Sequence, residues 1–346
     1  MNESIMRVFR NTVRIIQQHL RNRKIVFWGE NPSFEHFLQE EYNLSVECYV
    51  TAVPKKAHSK RILLEDLAEK AEQYYIIVTK EQPSQHIKKQ FKGMKFAEYK
   101  DYIFLHRKNT IIRPFSPDYK DPYGNFVHAG GCRVVLGKLV TDSYVYVDDG
   151  FKGDMLIRLF GRGGARATVG QNCKSTIGGR IFIHDNGVLS IGNGVSFGDN
   201  VKISISEYNK VTIGDDCMFS YNILMFSGDG HAIFDLDTGR RTNLYLDDDP
   251  KGTITLGKHV WVGSGACILN RASIGNSCII GANSTFKGQI PDYTVAAGNP
   301  AKIVKSHVTW SRNPNATEIS ECFSTWNGAT ENIEKLESEL NDSSEE

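Results

Sequence analysis

The sequence lacks any run of apolar residues that reaches the roughly 18–20 residues of a membrane span. Its first residues have arginines scattered through the apolar positions and no small-residue cleavage site, so we expect no signal peptide and a cytoplasmic location. The seven cysteines include no CxxC pair and no zinc-ligand spacing, and we interpret them as reduced thiols. Neither sign of charge dominates, because 41 lysines and arginines face 40 aspartates and glutamates, which argues against nucleic-acid binding.

Residues 1–110 have the pattern of an α/β domain. Apolar residues at helical spacing run from Ile5 to Leu20, the buried-strand stretch KIVFWGE follows, and further helix and strand patterns alternate after it. We predict a small Rossmann-like domain here, but Gly29 alone is not GxGxxG and is most often a tight turn. Residues 111–168 are turn-rich with short β-prone pieces, and we assign them to a linker and cap region or to the first irregular coils of the next domain.

Residues 169–305 repeat every six positions, a period that neither a helix at 3.6 nor an alternating strand at 2 explains. Large aliphatic residues stand six apart and are followed, four positions later, by a small or modest residue. The aliphatic members are Leu256, Val262, Ile268, Ile274 and Ile280. This period predicts a triangular parallel β-helix, in which each strand and turn forms one face and three faces make a coil.

The repeat is interrupted after Met225 and resumes at Leu256, so we expect an inserted loop over residues 226–255. This loop contains His231, and its aspartates are Asp235, Asp237, Asp247, Asp248 and Asp249. The repeat ends near Lys305. Residues 306–346 form an acidic C-terminal tail that we expect to be helical or disordered.

The repeat carries motifs that resemble the hexapeptide-repeat (left-handed β-helix) acyltransferases, the acetyl-CoA-dependent group that includes sugar and polysaccharide O-acetyltransferases. The ending IPDYTVAAGNPAKIVK is the most specific stretch, HVWVG and IGANS support it, and SGDGH with FDLDTGRRTN matches the catalytic loop. The resemblance covers about residues 170–305. It implies a homotrimer in which acetyl-CoA lies in a groove between parallel prisms and a loop histidine reaches into that groove.

On this resemblance His231 is the candidate general base, since a histidine titrates near neutrality and can remove the proton of an attacking hydroxyl. Asp229 either orients the His231 ring or makes the turn that presents it. The other histidines have simpler interpretations, and His259 in particular is interpreted as a turn or interface residue.

The resemblance also implies a donor site. Ser264 and Ala282 would line the pantetheine arm of acetyl-CoA, and Lys287, Lys302 and Lys305 would face its phosphates. The family often has VVTKD where this chain has TFKGQ, so Lys287 is displaced by one position. Trp261 could form a wall of the acceptor site or pack at the trimer interface, and no metal is expected.

These observations favour an O-acetyltransferase that acts on a sugar hydroxyl of a bacterial surface polysaccharide, capsule or lipopolysaccharide. One alternative is an N-acetyltransferase that acts on an amino-sugar nucleotide held by residues 1–110. A non-catalytic β-helix scaffold is the alternative from another class, and the intact His231 loop and the AGNPAKIVK ending argue against it.

Overall fold

The computed structural model describes residues 3–51, 61–79, 84–94, 96, 100, 102–105, 109–243, 252–319 and 322. The chain divides into two compact units, the first of residues 1–110, 121–125 and 138–141 and the second of residues 111–120, 126–137 and 142–346. The helices are α1 (Glu3–Leu20), α2 (Pro32–Tyr42), α3 (Leu64–Glu69) and α4 (Ser84–Gly93).

The strands fall into two groups. The first five are β1 (Lys24–Trp28), β2 (Val46–Thr51), β3 (Arg61–Leu63), β4 (Tyr74–Val78) and β5 (Tyr102–Phe104). The next eight are β6 (Thr110–Ile112), β7 (Tyr119–Lys120), β8 (Phe126–His128), β9 (Arg133–Leu136), β10 (Tyr144–Val147), β11 (Lys152–Leu159), β12 (Arg166–Val169) and β13 (Lys174–Ile183).

The remaining strands are short, and they continue the second group to the end of the repeat. They are β14 (Val188–Ile191), β15 (Ser196–Phe197), β16 (Lys202–Ile205), β17 (Lys210–Ile213), β18 (Met218–Phe219), β19 (Leu224–Phe226), β20 (Thr253–Leu256), β21 (Trp261–Val262), β22 (Cys267–Leu269), β23 (Ser273–Ile274), β24 (Ile279–Ile280), β25 (Thr285–Phe286), β26 (Gln289–Ile290), β27 (Thr294–Gly298) and β28 (Ala301–Ser306).

The first unit contains a five-stranded parallel sheet in the order β3-β2-β1-β4-β5. Side chains of β1 alternate between two cores, as the period of a strand requires. Phe27 packs with apolar residues of α1 and α2, whereas Val26 packs with Leu67 of α3 and Phe91 of α4. Helices therefore cover both faces of this sheet. Among the described residues, no helix combines the length and the apolar character that crossing a membrane requires.

The second unit is a parallel β-solenoid with three faces, which confirms the mostly β, coiled architecture that the six-residue period predicts. The first face is formed by β8, β10, β12, β14, β17, β20, β23 and β26. The second face contains β15, β18, β21, β24 and β27, and the third contains β9, β16, β19, β22 and β25. The long strands β11 and β13 turn a corner and contribute to the second and third faces.

The core of the solenoid is a set of stacked apolar columns. On the first face, each of the strands β10, β12, β14, β17 and β20 contributes two buried side chains. The first members of these pairs are Val145, Ala167, Leu189, Val211 and Ile254, and the second members lie two residues later. Burial of one such aliphatic side chain stabilises the fold by about 1.5–3 kcal/mol. Because each coil buries its edges only against its neighbours, the solenoid is stable as a stack and not coil by coil.

The solenoid begins earlier than the expected boundary at residue 169. Segment 111–168 was assigned to a linker and cap region or to the first irregular coils of the next domain, and the structure agrees with the second alternative. In it β8 and β10 continue the first face, and β9 and β11 continue the third. Register partners in β10, β12, β14 and β17 follow one another at 22 residues, as Val145, Ala167 and Leu189 do. These coils have longer corners, so the apolar residues in segment 111–168 do not recur every six positions and the spacing looks irregular.

The chain leaves the repeat after β27. Strand β28 pairs antiparallel with β27, and the segment that follows places Trp310 in a buried position. Of the acidic tail expected over residues 306–346, only residues up to 319 and residue 322 lie in the described part of the chain. The expectation of a helical or disordered tail therefore falls mostly outside the described residues.

Candidate active site

The inserted loop leaves the solenoid where β19 would turn the corner into the first face. We call this turn, between the third face and the first, the loop corner. A short antiparallel bridge joins Phe234 and Arg241, so the described part of the loop contains a hairpin. Its tip is closed by Asp235, whose Oδ1 accepts hydrogen bonds from the N–H and the hydroxyl of Thr238 at 2.7 and 2.8 Å. Asp247, Asp248 and Asp249 lie outside the described residues.

Asn243 fixes the base of this loop. Its Nδ2 donates to the carbonyl of His231 at 2.7 Å and to Oδ2 of Asp229 at 3.0 Å, while its Oδ1 accepts from the N–H of Ile233 at 2.9 Å. These bonds hold the two sides of the loop together directly beside the candidate base. Nothing in the sequence pattern indicated this role for Asn243. The bond from Asn243 shows Asp229 supporting the loop; its role toward the His231 ring stays a prediction.

The His231 side chain is exposed at the rim of a cavity of about 310 Å³. The cavity is also lined by His184, Glu207, Tyr208 and Arg241. Within the described part of the chain, no hydrogen bond reaches the imidazole ring of His231, so a substrate hydroxyl has access to it. This arrangement suits a base that must meet a bound substrate.

The candidate donor residues Ser264 and Ala282 lie at a different corner. Trp261 pairs with Ile279 and Val262 with Ile280, so the turns that follow these strands are stacked, and the carbonyl of Ser264 accepts from the N–H of Asn283 at 2.8 Å. We call this turn, from the second face to the third, the opposite corner. Both residues have small side chains that leave the backbone of the turn accessible, and Ala282 is exposed.

The three candidate lysines are all exposed, but they are not together. Lys302 and Lys305 lie on β28, whose partner β27 is the strand next to β24, so they lie beside the stack that holds Ala282. Lys287 follows β25 directly and therefore lies at the loop corner. One chain thus places Lys287 on the side of His231, and Ser264 and Ala282 on the other side.

The candidate base and the candidate donor turn are at opposite ends of the third face. His231 follows β19, which ends at the loop corner, while Ser264 precedes β22, the strand paired with β19. A strand of three residues is about 10 Å long. The two groups of a single chain therefore flank one face of the prism and do not converge on a common point.

Trp261 lies on the second face, next to the opposite corner. Its indole Nε1 donates to Oγ of Ser220 at 3.1 Å, and its ring centroid is 5.9 Å from that of Trp310. The side chain is half-buried, so one part of the ring remains accessible. The structure thus leaves both interpretations of Trp261 open, as an acceptor wall and as a packing residue.

His259 is a structural residue. Its backbone is left-handed, with a φ of 55°, which confirms that it lies in a turn, and its side chain is fully buried inside this chain and not at an exposed interface. Nδ1 lies 2.6 Å from Oδ2 of Asp216 and Nε2 lies 2.8 Å from the carbonyl of Trp310. Each ring nitrogen thus faces an oxygen that can accept a hydrogen bond. The Trp310 ring stacks on it at 4.1 Å.

Comparisons with known proteins agree with this architecture. A family model described as "Bacterial transferase hexapeptide (six repeats)" matches residues 253–288. The polysialic acid O-acetyltransferase of Escherichia coli O1:K1 / APEC is 34% identical over 147 residues, which are 42% of this chain and 46% of that protein. A protein of Escherichia coli K12 with a provisional name, lipopolysaccharide biosynthesis O-acetyl transferase WbbJ, is 31% identical over 40% of this chain and 70% of its own length.

The chain belongs to the hexapeptide-repeat sugar O-acetyltransferase family. The chain spans about half the length of the first of these relatives and 70% of the second. Among solved structures, the crystal structure of the polySia specific acetyltransferase NeuO has a TM-score of 0.51 and 26% identity, and it covers 58% of this chain and 87% of that chain. The shared fold is the solenoid, which agrees with the family expected from the motifs of the repeat.

Proposed function

We propose that this protein transfers an acetyl group from acetyl-CoA to a sugar hydroxyl of a bacterial surface polysaccharide. The names of the similar proteins, a polysialic acid O-acetyltransferase and a lipopolysaccharide O-acetyl transferase, support this proposal. The observation that carries it is the position of His231, exposed at a cavity on a loop that interrupts an otherwise continuous solenoid. An exposed imidazole on a braced loop would have no structural purpose in a scaffold, which is why we prefer the enzyme.

In the proposed reaction His231 removes the proton of the acceptor hydroxyl as its oxygen attacks the thioester carbonyl. The new bond joins that oxygen to the acetyl carbon, and the carbon–sulfur bond then breaks. The imidazolium returns the proton to the departing thiolate, so the base is regenerated. A base of this kind contributes about 10²–10⁴-fold to the rate. Asp229 supports the loop that carries it, and a backbone N–H of a coil turn is the expected donor to the developing oxyanion.

The donor is proposed to lie along the opposite corner. The stacked turns of Ser264 and Ala282 present small side chains, against which a pantetheine arm can lie, and the exposed Lys302 and Lys305 are on the next strands along the stack. Lysine ammonium groups suit the phosphates of acetyl-CoA. Lys287 lies at the loop corner, so we propose that it contacts only the phosphates of an acetyl-CoA molecule bound to another protomer.

A homotrimer would bring these groups together. Because one chain holds His231 and Ser264 at opposite ends of the third face, a complete site needs the loop corner of one protomer beside the opposite corner of the next. Such a contact joins two different surfaces and closes into a ring when the rotation allows it. We therefore propose that each active site is shared by two protomers, with Trp261 close to the acceptor. We also propose a cytoplasmic location, where acetyl-CoA is available.

Replacement of His231 tests the proposal. We expect His231→Ala to keep its oligomeric state and its affinity for acetyl-CoA but to lose about 10²–10⁴-fold in kcat for acetylation of a glycan acceptor. His36→Ala is the matched control, since His36 is an exposed histidine on α2. Transfer by His231→Ala at the rate of the wild type would refute the assignment of the base. A wild-type protein that fails to bind acetyl-CoA in calorimetry would instead favour the scaffold.

One observation favours a second function, N-acetylation of an amino-sugar nucleotide. Gly29 follows β1 with a φ of 109°, and β1 lies between β2 and β4 in the parallel sheet. In sheets of this kind, ligands bind at the carboxyl ends of the strands where the strand order reverses. Titration of UDP- and CMP-sugars into the full chain distinguishes the two functions, and so does the product, because mild hydroxylamine cleaves an ester and leaves an amide.

A further inference from the structure

A second cavity of about 570 Å³ lies along the second face, on coils that precede the inserted loop. Its cationic side chains are Lys152, Lys174 and Arg312, and aromatic and hydroxyl groups such as Tyr221 and Ser220 complete it. Among the described residues that line it, none is an aspartate or a glutamate. We call this cavity the cationic groove.

The two lysines of the cationic groove are stacked on each other. Lys152 of β11 is the direct register partner of Lys174 of β13. Neighbouring strands are about 4.8 Å apart, and like charges in directly opposed positions destabilise a sheet. Within the described part of the chain, neither lysine forms an ion pair. An anion that binds between them would remove this repulsion.

Acidic residues are present nearby in the sequence, but their carboxylates are engaged elsewhere. Oδ2 of Asp154 accepts a hydrogen bond from the N–H of Gly178 at 3.0 Å, and Oδ1 of Asp199 accepts one from the N–H of Ile177 at 3.2 Å. These carboxylates stabilise the turns between coils.

Arg312 is a rigid part of the groove. Its Nε donates to Oδ1 of Asp216 at 2.7 Å, and its terminal nitrogens donate to Oγ of Ser196 at 2.8 Å and to the carbonyls of Gly194, Asp216 and Cys217 at 3.0–3.3 Å. A guanidinium with this many partners keeps its position without a ligand. The segment after β28 therefore supplies one wall of the groove, and that wall is preorganised.

The groove leads toward the proposed site of acetyl transfer. Lys174, Ser196, Met218 and Trp261 are successive register partners, so they form one row along the axis of the solenoid. The row from Lys152 to Trp261 takes four strand spacings, which is about 19 Å. Ser264, proposed to contact the donor, lies in the turn that stacks on the turn of Tyr221. Donor and groove therefore extend in opposite directions from Trp261.

We propose that the cationic groove binds an anionic segment of the acceptor, a glycan chain that carries carboxylates. This inference rests on the proposed function and specifies its substrate class. The lysine pair neutralises a carboxylate, the exposed aromatic side chain of Tyr221 contacts a sugar ring, and the length of the row accommodates a chain of sugars that continues past Trp261. A compact diphosphate would match the charge but would leave most of the row empty.

The test is a binding measurement with the full chain in the absence of acetyl-CoA. The probes are fluorescently labelled polysialic acid, which has a carboxylate on each sugar, and neutral dextran of the same length. We expect polysialic acid to bind more tightly than dextran and to lose affinity as salt rises. Lys174→Gln and Lys152→Gln should each weaken it about threefold, and the double variant about tenfold, as for partly exposed ion pairs.

Lys210→Gln is the matched control, because Lys210 is an exposed lysine at the start of a strand on the first face. The inference is overturned if dextran binds as well as polysialic acid, if Lys210→Gln weakens binding as much as Lys174→Gln, or if UDP-sugars bind through the lysine pair while the polymer does not. If the wild type binds the polymer but transfers no acetyl group, the proposed function is refuted and the inference about the cationic groove stands. If the wild type acetylates only neutral glycans, the proposed function stands and the inference about the cationic groove is overturned.

Discussion

Replacement of Asp216 by asparagine removes the negative charge that joins the C-terminal segment to the solenoid. This carboxylate is only 5% exposed, and it faces the His259 ring and the Arg312 guanidinium at once. Removal of one partner of a buried ion pair costs about 3–5 kcal/mol. Arg312 is 22% exposed and keeps its bonds to Ser196 and to three carbonyls, and asparagine keeps the shape, so we expect the lower end, about 3 kcal/mol.

A loss of this size should lower the melting temperature of the solenoid by about 6–12 °C, given about 2–4 °C per kcal/mol for units of 150–250 residues. Differential scanning calorimetry measures it. The matched control is Asp235→Asn, which changes an exposed carboxylate at the tip of the inserted hairpin and should shift the melting temperature by about 1 °C at most. A melting temperature of Asp216→Asn within about 2 °C of the wild type would refute the reasoning.

The stabilisation that Asp216 provides should also depend on pH. Burial raises the pKa of Asp216, but the hydrogen bond from His259 and the charge of Arg312 outweigh it, and the net pKa lies below the ordinary value of 3.8. The stabilisation is therefore fully present above pH 3.8 and is lost as the pH falls through the lowered pKa. The difference in melting temperature between wild type and Asp216→Asn should therefore narrow as the pH falls below 3.8. A constant difference down to pH 2 would contradict this account.

Three further predictions concern the loop, the acceptor wall and the thiols. Asn243→Ala should lower kcat about 10- to 100-fold because His231 is misplaced, while the melting temperature stays unchanged. If the variant and the wild type have equal kcat values, the hydrogen bonds from Asn243 are not needed to position His231. Trp261→Leu should raise the KM for the glycan about tenfold and leave the KM for acetyl-CoA unchanged. If only the KM for acetyl-CoA changes, Trp261 belongs to the donor site and not to the acceptor site. Burial raises the pKa of the Cys217 thiol to about 12 and that of Cys173 to about 11, so neither should be labelled by a disulfide reagent at pH 8 before unfolding, and mass spectrometry that finds rapid labelling would contradict their burial.

The six-residue period predicted the solenoid over residues 169–305, and it is most regular where the corners are short. From Leu256 to Ile280 every turn has the same length, so the inward side chains recur every six residues. Earlier coils have longer corners, so segment 111–168 could be assigned either to a linker and cap region or to the first irregular coils of the next domain. The 22-residue spacing of YVYV, RATV, VLSI and KVTI is the signal that identifies these coils, since each stretch is the same strand of successive turns.

Some residues of the candidate site could be predicted from the sequence and others could not, and the difference has a physical reason. His231 stands out because a break in a regular repeat is visible in one dimension. Asn243 acts through a bond to the carbonyl of His231, 12 positions away, and Arg312 acts through bonds to residues 95–118 positions away. Nothing in the local pattern indicates such partners. The stacking of Lys152 on Lys174 likewise depends on the coil length, which the six-residue period did not provide.

The way the inserted loop joins the solenoid has a consequence for divergence. Strand β17 pairs with β20 and β19 pairs with β22, so the coils on either side stack as if the loop were absent. Re-entry is close-packed at Gly252, where a Cβ would lie 1.9 Å from Oδ1 of Asn209. The loop is thus a module with fixed attachment points. We therefore expect loops of other lengths to fit between these attachment points without altering the coils that carry them.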